Sequence, residues 1–407
     1  MAQSIALEAL FDTLNHIDWS ASPSSKSLPH PYGELDFKIV RSFLKQYDGN
    51  QSTFNSYRRE VERFLHWSWK IAQRSILNLK RDDIENYIRF CTCPPKAWIG
   101  LKKVARFKLK DGARTPNPEW RPFVATVTKA AFKKGETPNK ADYRPSQKAV
   151  QEIFVALGSF YNHLVSENIV ELNPVATIRQ KSKFIRKTQS TKKVLRLSEA
   201  QWQAVLNAAS TMAEASPEKH ARTKFVVSAL YYMYLRISEL AASKRWSPMM
   251  NHFYQDTFGH WWFTTVGKGN KQREIAVRDK MLDELKTWRK HLQCFPLLPT
   301  PDDSSPLLPK LKGYGNVAST DTIADIVQSC FDHAIAALDK QGDRQEANAL
   351  RNASAHWLRH TGISDDINKH HRPVAHVRDD AGHASITTTD RYNDITLQDR
   401  HDSARET

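Results

Sequence analysis

The sequence predicts a mainly α-helical protein of two domains, with one small β-hairpin in the second domain. In the first half, two stretches carry apolar residues at helical spacing, from Phe54 to Leu65 and from Ile153 to Leu164, and each predicts an amphipathic helix. In the second half, the aromatic and β-branched stretches HWWFTTV and QREIAV flank the turn sequence GKGNK, which predicts a β-hairpin. The length of 407 residues allows each domain to bury a core of its own.

Changes in composition along the chain predict the domain boundaries. The first residues mix Ser and Pro with polar residues, which is typical of an arm that orders only on a partner. The stretch after Asn173-Pro174 is rich in Lys and Arg and free of acidic residues through residue 193, which favours an extended linker. The predicted segments are an N-terminal arm (1–35), a helical domain (36–176) with a basic insertion (about 95–146), a basic linker (177–194) and a second domain (195–407).

The charge balance favours a polyanionic partner. Lys and Arg number 60 against 44 Asp and Glu, so the formal net charge is +16, an excess that suits nucleic acid. No stretch approaches the roughly 18 to 20 consecutive apolar residues that cross a bilayer, and the N-terminal residues lack the pattern of a secretory signal. We therefore expect a cytoplasmic, nucleoid-associated protein with no membrane partner.

The cysteines and paired histidines favour a protein without a bound metal. Only Cys91 and Cys93 are close in sequence, and no second pair completes a zinc-binding pattern. Metal binding by these two thiols and a more distant histidine remains the alternative. His356 and His360 have the spacing of a zinc pair on a helix, but Trp357 occupies the position at which a zinc protease carries its glutamate. We expect no metal and no cofactor.

The second domain offers the groups that metal-free cleavage of a phosphodiester requires. Such a reaction needs a nucleophile, donors for the phosphoryl oxygens and an acid for the leaving oxygen. Arg236 ends an apolar stretch, where a guanidinium is costly unless it meets an anion or a carboxylate. His356 and Arg359 are three residues apart, which places them on one helix face. His383 and then Tyr392 follow in the last part of the chain.

Each of these residues, taken singly, has an ordinary structural interpretation. Arg236 would then form an ion pair with Glu239, Lys268 would be a solvated turn residue, and Tyr392 would be one more core or surface tyrosine. The order of the whole set argues against these separate interpretations.

The ordered motifs resemble those of the tyrosine recombinase family, which includes the phage integrases and the chromosome-dimer resolvases. In chain order they are R-I-S-E-L, G-K-G-N-K, H-W-L-R-H, A-G-H-A-S-I-T-T-T and R-Y, between Arg236 and Tyr392. One motif alone would be weak support, but five in the family's order are specific. The first domain is similar to the family's core-binding domain, so the resemblance covers most of residues 36–395.

The resemblance implies a C-shaped clamp on DNA, made of a helical core-binding domain and a tyrosine recombinase catalytic domain. It assigns Arg236 and Arg359 to the scissile phosphate. It assigns His356 and His383 to supporting positions beside them. Tyr392 matches the nucleophile, which would form a 3′-phosphotyrosyl intermediate. Because that bond keeps the energy of the broken diester, religation needs no ATP.

The resemblance also implies the acid and the DNA contacts. Lys268 matches the hairpin lysine that protonates the leaving 5′ oxygen, with Lys271 as its competitor, and Glu239 supports the site. The basic residues of the first helix and of the linker are expected to contact phosphates. These residues are Arg58, Arg59, Arg63, Arg179, Lys181, Lys183, Arg186 and Lys187.

The expected partner is double-stranded DNA that carries specific recombination sites. The family resemblance implies a homotetramer that joins two sites through a Holliday junction, a monomer or weak oligomer without DNA, and accessory DNA-bending proteins. Two other functions remain open: an architectural or repressor protein that has kept the fold without the chemistry, and a type IB-like topoisomerase. A metal-dependent nuclease is a more distant alternative.

Two departures from the family pattern predict changes in local geometry. The family usually has a Thr-Gly pair just before the first arginine motif, where this chain has Met233-Tyr234-Leu235. The segment from Asp365 to Asp380 is also more polar than the apolar helix expected there.

Overall fold

The computed structural model describes residues 7–18, 31–128, 131–132, 135–176, 178, 195–267 and 269–393. Within these residues the protein is mainly helical, with three small β-sheets, so the predicted fold class is confirmed. The chain divides into two compact units, Met1–Ser190 (unit 1) and Thr191–Thr407 (unit 2). The predicted linker lies outside the described residues except for Ile178, and its boundaries stay a prediction.

Unit 1 is built on helices that pack through aromatic side chains. Asn50 and Ser146 begin two of them by accepting hydrogen bonds from backbone N–H groups three residues ahead, which satisfies donors that a helix start leaves free. Phe64 of the first and Tyr161 of the second meet edge to face, with ring centroids 6.1 Å apart. The helices of unit 1 are α1 (Gly33–Lys45), α2 (Gln51–Trp67), α3 (Arg81–Thr92) and α4 (Gln147–Ser166).

Residues 7–18 pack into unit 1, which differs from the prediction of an arm that orders only on a partner. Leu10 and Phe11 are buried, and the Phe11 ring stacks on Phe37 with centroids 4.9 Å apart. The buried Glu62 carboxylate accepts hydrogen bonds from the backbone N–H groups of Leu10 and Phe11. Burial of these apolar side chains outweighs the polar composition of the neighbouring stretch. The arm's other residues before position 31 lie outside the described residues.

The predicted basic insertion is also more structured than a loop. Its short strands β1 (Ile99–Gly100) and β4 (Phe123–Val124) pair in parallel. Between them, β2 (Phe107–Lys110) and β3 (Ala113–Pro116) form an antiparallel hairpin. Trp98, Ile99 and Phe123 belong to the core of unit 1, so the insertion contributes side chains to that core. The prolines of this region interrupt the sequence pattern by which strands are recognised, and the strands form through packing in the folded protein.

Unit 2 packs its helices around a central one, α6, whose Val226, Val227 and Leu230 are buried. The helices of unit 2 are α5 (Glu199–Ala215), α6 (Pro217–Tyr232), α7 (Ile237–Leu240), α8 (Asp279–His291), α9 (Thr320–Gln341), α10 (Arg344–Leu350), α11 (Ala355–Asn368), α12 (Val374–Ala381) and α13 (Ile386–Asp390). In the part of the chain that the structure describes, none of the helices is long and apolar enough to cross a membrane.

The antiparallel sheet of unit 2 contains the predicted hairpin and one further strand. Strand order is β5 (Phe253–Gln255), β6 (Trp261–Val266) and β7 (Gln272–Ala276). Phe263 and Ile275 are register partners and are both buried, which sets the inward face of the sheet. The backbone N–H of Gly267 donates to the Lys271 carbonyl at 2.8 Å and closes the β6–β7 turn.

A glycine lets α11 approach the end of α6 closely. A Cβ atom placed on Gly362 would lie 2.0 Å from the carbonyl oxygen of Tyr231, a distance that no side chain can occupy. The contact brings the preceding turn of α11, which carries Arg359, to the chain segment between α6 and α7. Two distant parts of the sequence thereby meet at one place.

Candidate active site

The turn between α6 and α7 presents Arg236 at the start of a short helix. Tyr234 adopts a left-handed backbone conformation with φ 50°, which turns the chain before Arg236. The Arg236 N–H then donates to Glu239 Oε2 at 2.8 Å, and its Nη1 donates to Oε1 at 3.0 Å. The Arg236 side chain keeps 28% exposure, so its guanidinium remains open to a ligand.

Arg273 holds the Glu239 carboxylate from the adjacent sheet. Its Nη1 and Nη2 donate to the two carboxylate oxygens at 2.7 and 2.9 Å, and its Nε donates to the Asp380 carbonyl at 2.9 Å. Burial raises the pKa of Glu239, but the Arg273 hydrogen bond and the charges of Arg273 and Arg236 bring that pKa below its ordinary value. Glu239 therefore remains ionised and fixes both arginines.

The β6–β7 turn lies against this cluster. A Cβ atom on Gly267 would lie 3.0 Å from both Arg273 Nη1 and Glu239 Oε1, so glycine lets the turn approach the ion pair. Lys268 follows directly but is outside the described residues, and its role stays a prediction. Lys271 is exposed and contributes its backbone carbonyl to the turn.

Arg359 is buried and directed toward the same cluster. Its Nη1 donates to the Tyr234 carbonyl, and its Nη2 donates to the Ala381 carbonyl at 2.5 Å and to His383 Nε2 at 3.2 Å. Burial lowers the pKa of Arg359 to about 9, and the nearby charge of Arg236 contributes to the shift. Arg359 is still charged at neutral pH, so an anion bound between the two arginines would relieve their repulsion.

Tyr392 lies beside Arg359 among histidines. Its phenol oxygen is 2.5 Å from Nδ1 of His360, and its ring stacks on His383 with centroids 6.0 Å apart. The His356 and His360 rings meet edge to face at 4.2 Å. The Tyr392 side chain is thus in contact with the helix that carries Arg359.

The three histidines are uncharged at neutral pH. Burial lowers the pKa of His360 to about 3, with the charges of His356, Arg359 and His383 adding to the effect. Burial and the charges of Arg359 and Arg236 lower the pKa of His383 to about 4. The pKa of His356 is also lowered, first by burial and then by the charges of Arg359 and Arg236.

A second buried ion cluster supports the site from behind and explains the polar segment between Asp365 and Asp380. The Asp366 carboxylate accepts hydrogen bonds from the Tyr234 hydroxyl and from Arg278, and from Arg372 at 2.9 Å. Arg372 Nη2 also donates to Asp380 Oδ2 at 2.7 Å. Burial raises the pKa of Asp366, but the Arg278 hydrogen bond and charge bring it below its ordinary value.

The structure brings most of the residues that the sequence nominated for chemistry into one pocket of unit 2. Their roles in catalysis stay predictions. The residues brought together are Arg236, Glu239, His356, Arg359, His383 and Tyr392.

Two of the α2 arginines that the sequence nominated for phosphate contact have partners within unit 1. Arg58 is 8% exposed and donates to the Asp12 carbonyl. Arg63 donates to the Glu60 carboxylate at 2.8 Å and to the Pro122 carbonyl at 2.9 Å. Helical spacing alone predicted exposure, whereas the partners come from the N-terminal segment and the insertion. These two arginines therefore link α2 to the N-terminal segment and to the insertion, and their phosphate contacts stay predictions.

The remaining predicted DNA contacts are described only in part. Arg59 keeps 45% exposure and pairs with Glu60 and Glu152. The others lie outside the described residues, and their contacts stay predictions: Arg179, Lys181, Lys183, Arg186 and Lys187.

The sequence analysis did not predict a role in this pocket for Arg273 or His360. Arg273 alternates in phase with the buried Ile275 along β7, and an arginine on an inward strand face indicates a buried acidic partner. His360 was considered only as a possible zinc ligand with His356. Its spacing of four residues from His356 was the signal that it would lie on the same helix face.

Comparison with known proteins identifies the family. The phage integrase family model matches residues 195–399, which is half of the chain. The chain belongs to the phage integrase family, the tyrosine recombinases. No curated protein matches it in sequence. The family match includes every residue of the pocket.

Solved structures show a fold similar to that of this chain beyond unit 2. The XerH site-specific recombinase in a post-cleavage complex with palindromic difH substrate is similar at TM-score 0.56 and 16% identity, over 98% of this chain and 90% of that one. The pre-cleavage complex of XerH with difH substrate is similar at TM-score 0.53 and 15% identity, over 96% of this chain and 86% of that one. The Tn1549 transposon integrase in complex with a circular intermediate DNA matches at 0.52 and 13%, over 91% and 98%.

Proposed function

We propose that this family member is a site-specific DNA recombinase or integrase that cleaves and rejoins DNA through a 3′-phosphotyrosyl intermediate and a Holliday junction. The observation that carries the proposal is the position of Arg359. One of its nitrogens bonds the carbonyl of Tyr234, two residues before Arg236, and another bonds His383, whose ring stacks on Tyr392. Two cations and a phenol therefore share one pocket.

The two guanidiniums would hold the scissile phosphate. Arg236 is partly exposed and Arg359 is buried, so the phosphate would enter against the first and be desolvated against the second. A five-coordinate phosphorus carries more charge on its oxygens than the ground state does. Loss of one such donor typically costs about 10²–10³ in rate.

The remaining roles follow the family pattern. Tyr392 is the nucleophile, and His356 and His383 support the phosphate site. Lys268, with Lys271 as competitor, is the acid for the leaving 5′ oxygen; the contact of Gly267 with the Arg236 cluster supports a turn lysine in this role. No metal or cofactor enters the proposed reaction.

The substrate is duplex DNA that carries a specific recombination site. In support, the similar XerH site-specific recombinase is bound to a difH substrate, and the Tn1549 integrase is in complex with a circular intermediate DNA. A basic surface next to α7 supports DNA binding. It consists of the exposed Lys244, Lys310, Lys312 and Tyr314, here called the lysine surface. Its two loops are joined by the hydrogen bond from the Ala242 N–H to the Val317 carbonyl at 2.8 Å. Exposed lysines and an exposed aromatic side chain on two joined loops suit a phosphate backbone.

The proposal extends to domains and assembly. Residues 36–176 would form a core-binding domain and residues 195–407 the catalytic domain, joined by the basic linker in a C-shaped clamp on DNA. Four protomers would join two sites on DNA, with accessory DNA-bending proteins, and the free protein would be a monomer or weak oligomer. Its DNA substrate would place it in the cytoplasm with the nucleoid.

Covalent capture of DNA tests the proposal and identifies the recognition sequence in the same experiment. Purified protein is incubated with a library of random duplexes, denatured, and the DNA that remains attached is sequenced. The recovered sequence is then built into a nicked suicide duplex. Wild-type protein is expected to form a covalent adduct on it with or without a metal chelator, Tyr392→Phe to form none, and Tyr57→Phe, a control in unit 1, to match wild type.

Three outcomes would contradict the proposal. Binding without any adduct would indicate an architectural protein. Adducts without sequence preference, together with relaxation of any supercoiled plasmid, would indicate a topoisomerase. Cleavage that survives Tyr392→Phe but stops in chelator would indicate a nuclease.

A further inference from the structure

His360 contacts the phenol of Tyr392, although the family resemblance assigns it no role. Its Nδ1 lies 2.5 Å from the phenol oxygen, and the two ring centroids are 5.3 Å apart. Tyr392 is 5% exposed, and its backbone carbonyl accepts a hydrogen bond of 2.8 Å from Asn368. The backbone of Tyr392 is thus anchored to the helix that carries His360.

Other basic groups near the phenol are already engaged. His383 accepts from Arg359 through Nε2 at 3.2 Å and meets Thr389 Oγ1 through Nδ1 at 2.8 Å, so both of its nitrogens have partners. The Glu239 carboxylate accepts hydrogen bonds from two arginines. Among the described residues, His360 is the base that directly contacts the phenol oxygen.

We propose that His360 is the general base that takes the proton of Tyr392 when the phenol oxygen attacks the scissile phosphorus. This inference rests on the proposed function and assigns one of its steps. The Tyr392 O–H bond breaks, the proton passes to Nδ1 of His360, and the phenol oxygen bonds to phosphorus as the bond to the 5′ oxygen breaks. The 5′ oxygen takes its proton from a separate acid. In religation the 5′ hydroxyl gives its proton back to that separate group and its oxygen bonds to phosphorus. The bond between phosphorus and the phenol oxygen breaks, and His360 returns its proton to the phenol oxygen.

The electrostatics of the pocket keep the proton on Tyr392 in the free protein. His360 faces the cation Arg359, the imidazoles of His356 and His383, and Tyr392 itself. Burial lowers the pKa of His360 to about 3 and raises the pKa of Tyr392, so the proton remains on the phenol before DNA binds. A phosphodiester between the arginines would add negative charge beside His360 and raise its proton affinity at the moment of attack.

A purely positioning role for His360 predicts a different set of results. His360→Asn keeps an amide oxygen near the place of Nδ1, so it can still hold the phenol by a hydrogen bond but cannot take its proton. A positioning role would survive this substitution. Proton transfer would not, and general-base catalysis typically contributes about 10²–10⁴ in rate.

The test measures single-turnover adduct formation on the nicked suicide duplex as a function of pH. Wild-type protein is expected to slow at acid pH as His360 becomes protonated. His360→Asn is expected to be about 10²–10⁴-fold slower and to lose that acid limb, while His333→Asn, an exposed histidine on α9, keeps the wild-type profile. His360→Ala is expected to regain rate with added imidazole, which shows a folded pocket that lacks only its base.

A substrate with a sulfur atom in place of the bridging 5′ oxygen separates the base from the acid, because a thiolate leaves without a proton. The His360→Asn defect is expected to persist on it. Full recovery on the sulfur substrate would assign His360 to the leaving group and overturn the proposal, as would a wild-type rate for His360→Asn on the ordinary substrate. Failure of the proposed function itself would show separately, as an adduct that survives Tyr392→Phe.

Discussion

Arg273 grips both carboxylate oxygens of Glu239, at 2.7 and 2.9 Å, while Glu239 also bonds Arg236. Through this pairing, a strand residue fixes the arginine that would receive the phosphate. The Arg273 Nε bond to the Asp380 carbonyl extends the same support to the end of α12, next to His383.

Arg273→Lys is expected to slow adduct formation without abolishing it. Lysine keeps the charge but cannot make two parallel bonds to a carboxylate. A lost charge-assisted hydrogen bond is worth about 1.5–3 kcal/mol, which corresponds to about 10- to 100-fold in rate if Arg236 is no longer fixed. Single-turnover assays on the suicide duplex measure the effect. Arg351→Lys, which alters an ion pair with Asp339, serves as control, and equal rates for both variants would refute the support role.

Gly362→Ala is expected to destabilise unit 2. Its Cβ would collide with the Tyr231 carbonyl at 2.0 Å, so α11 must move away from α6 at a cost of at least about 1–3 kcal/mol. Gly158→Ala in α4 is the matched control, because its Cβ would meet nothing within 4 Å. There the free energy of unfolding is expected to rise by about 0.5–1 kcal/mol. Urea denaturation measures both, and equal shifts in the two variants would contradict the packing argument.

Removal of charge from the lysine surface is expected to weaken DNA binding without changing the chemistry. In the double variant Lys310→Ala and Lys312→Ala, each lost phosphate contact reduces the slope of log Kd against log salt by about 0.9. The rate of adduct formation at saturating protein should match wild type. Binding titrations over a range of salt concentrations check this, with Lys340→Ala on α9 as control. An unchanged salt slope would show that DNA does not reach this surface.

The stability of unit 1 is expected to fall as the pH drops, because of His66. Burial lowers the pKa of His66 to about 3, whereas an unfolded histidine titrates near pH about 6.5. The unfolded chain therefore binds a proton that the folded chain does not. Above pH about 6.5 the neutral His66 causes no loss of stability. Below that pH, protonation of the unfolded chain lowers the free energy of unfolding by up to about 1.4 kcal/mol per pH unit, until the pH approaches 3.

His66→Gln is the variant that isolates this effect, since its amide can still donate to the Glu8 carbonyl that His66 contacts at 2.9 Å. Urea denaturation of the full chain between pH 5 and pH 7.5 is expected to show a smaller loss of stability in the variant. Histidines of unit 2 titrate alike in both proteins and cancel in the difference. Parallel pH profiles would rule out His66 as the source.

The sequence predicted those features that are specified by a local pattern within one helix, strand or motif. The order of motifs around Arg236, Arg359 and Tyr392 predicted the family, and the β-branched stretches around Gly267 predicted the hairpin. Periodicity failed where a partner comes from far along the chain. Arg58 has the spacing of an exposed helix residue, but its carbonyl acceptor at Asp12 is supplied by a segment whose composition indicated an arm.

The pocket shows the same limit. Spacing could place His356 and Arg359 on one helix face, but it could not tell which histidine would meet the phenol. That choice depends on how the segment after His383 returns to α11 and bonds Asn368. That packing is a long-range contact, and no local sequence pattern predicts it.

Tyr234 combines a left-handed backbone conformation with a side-chain hydrogen bond to the carboxylate of Asp366. Here a tyrosine takes the left-handed conformation that favours glycine, with its hydroxyl bonded to Asp366. Replacement of Tyr234 by glycine would ease the turn but remove a donor to Asp366 and leave a void behind it. A redesign that places glycine at position 234 must therefore change position 366 with it.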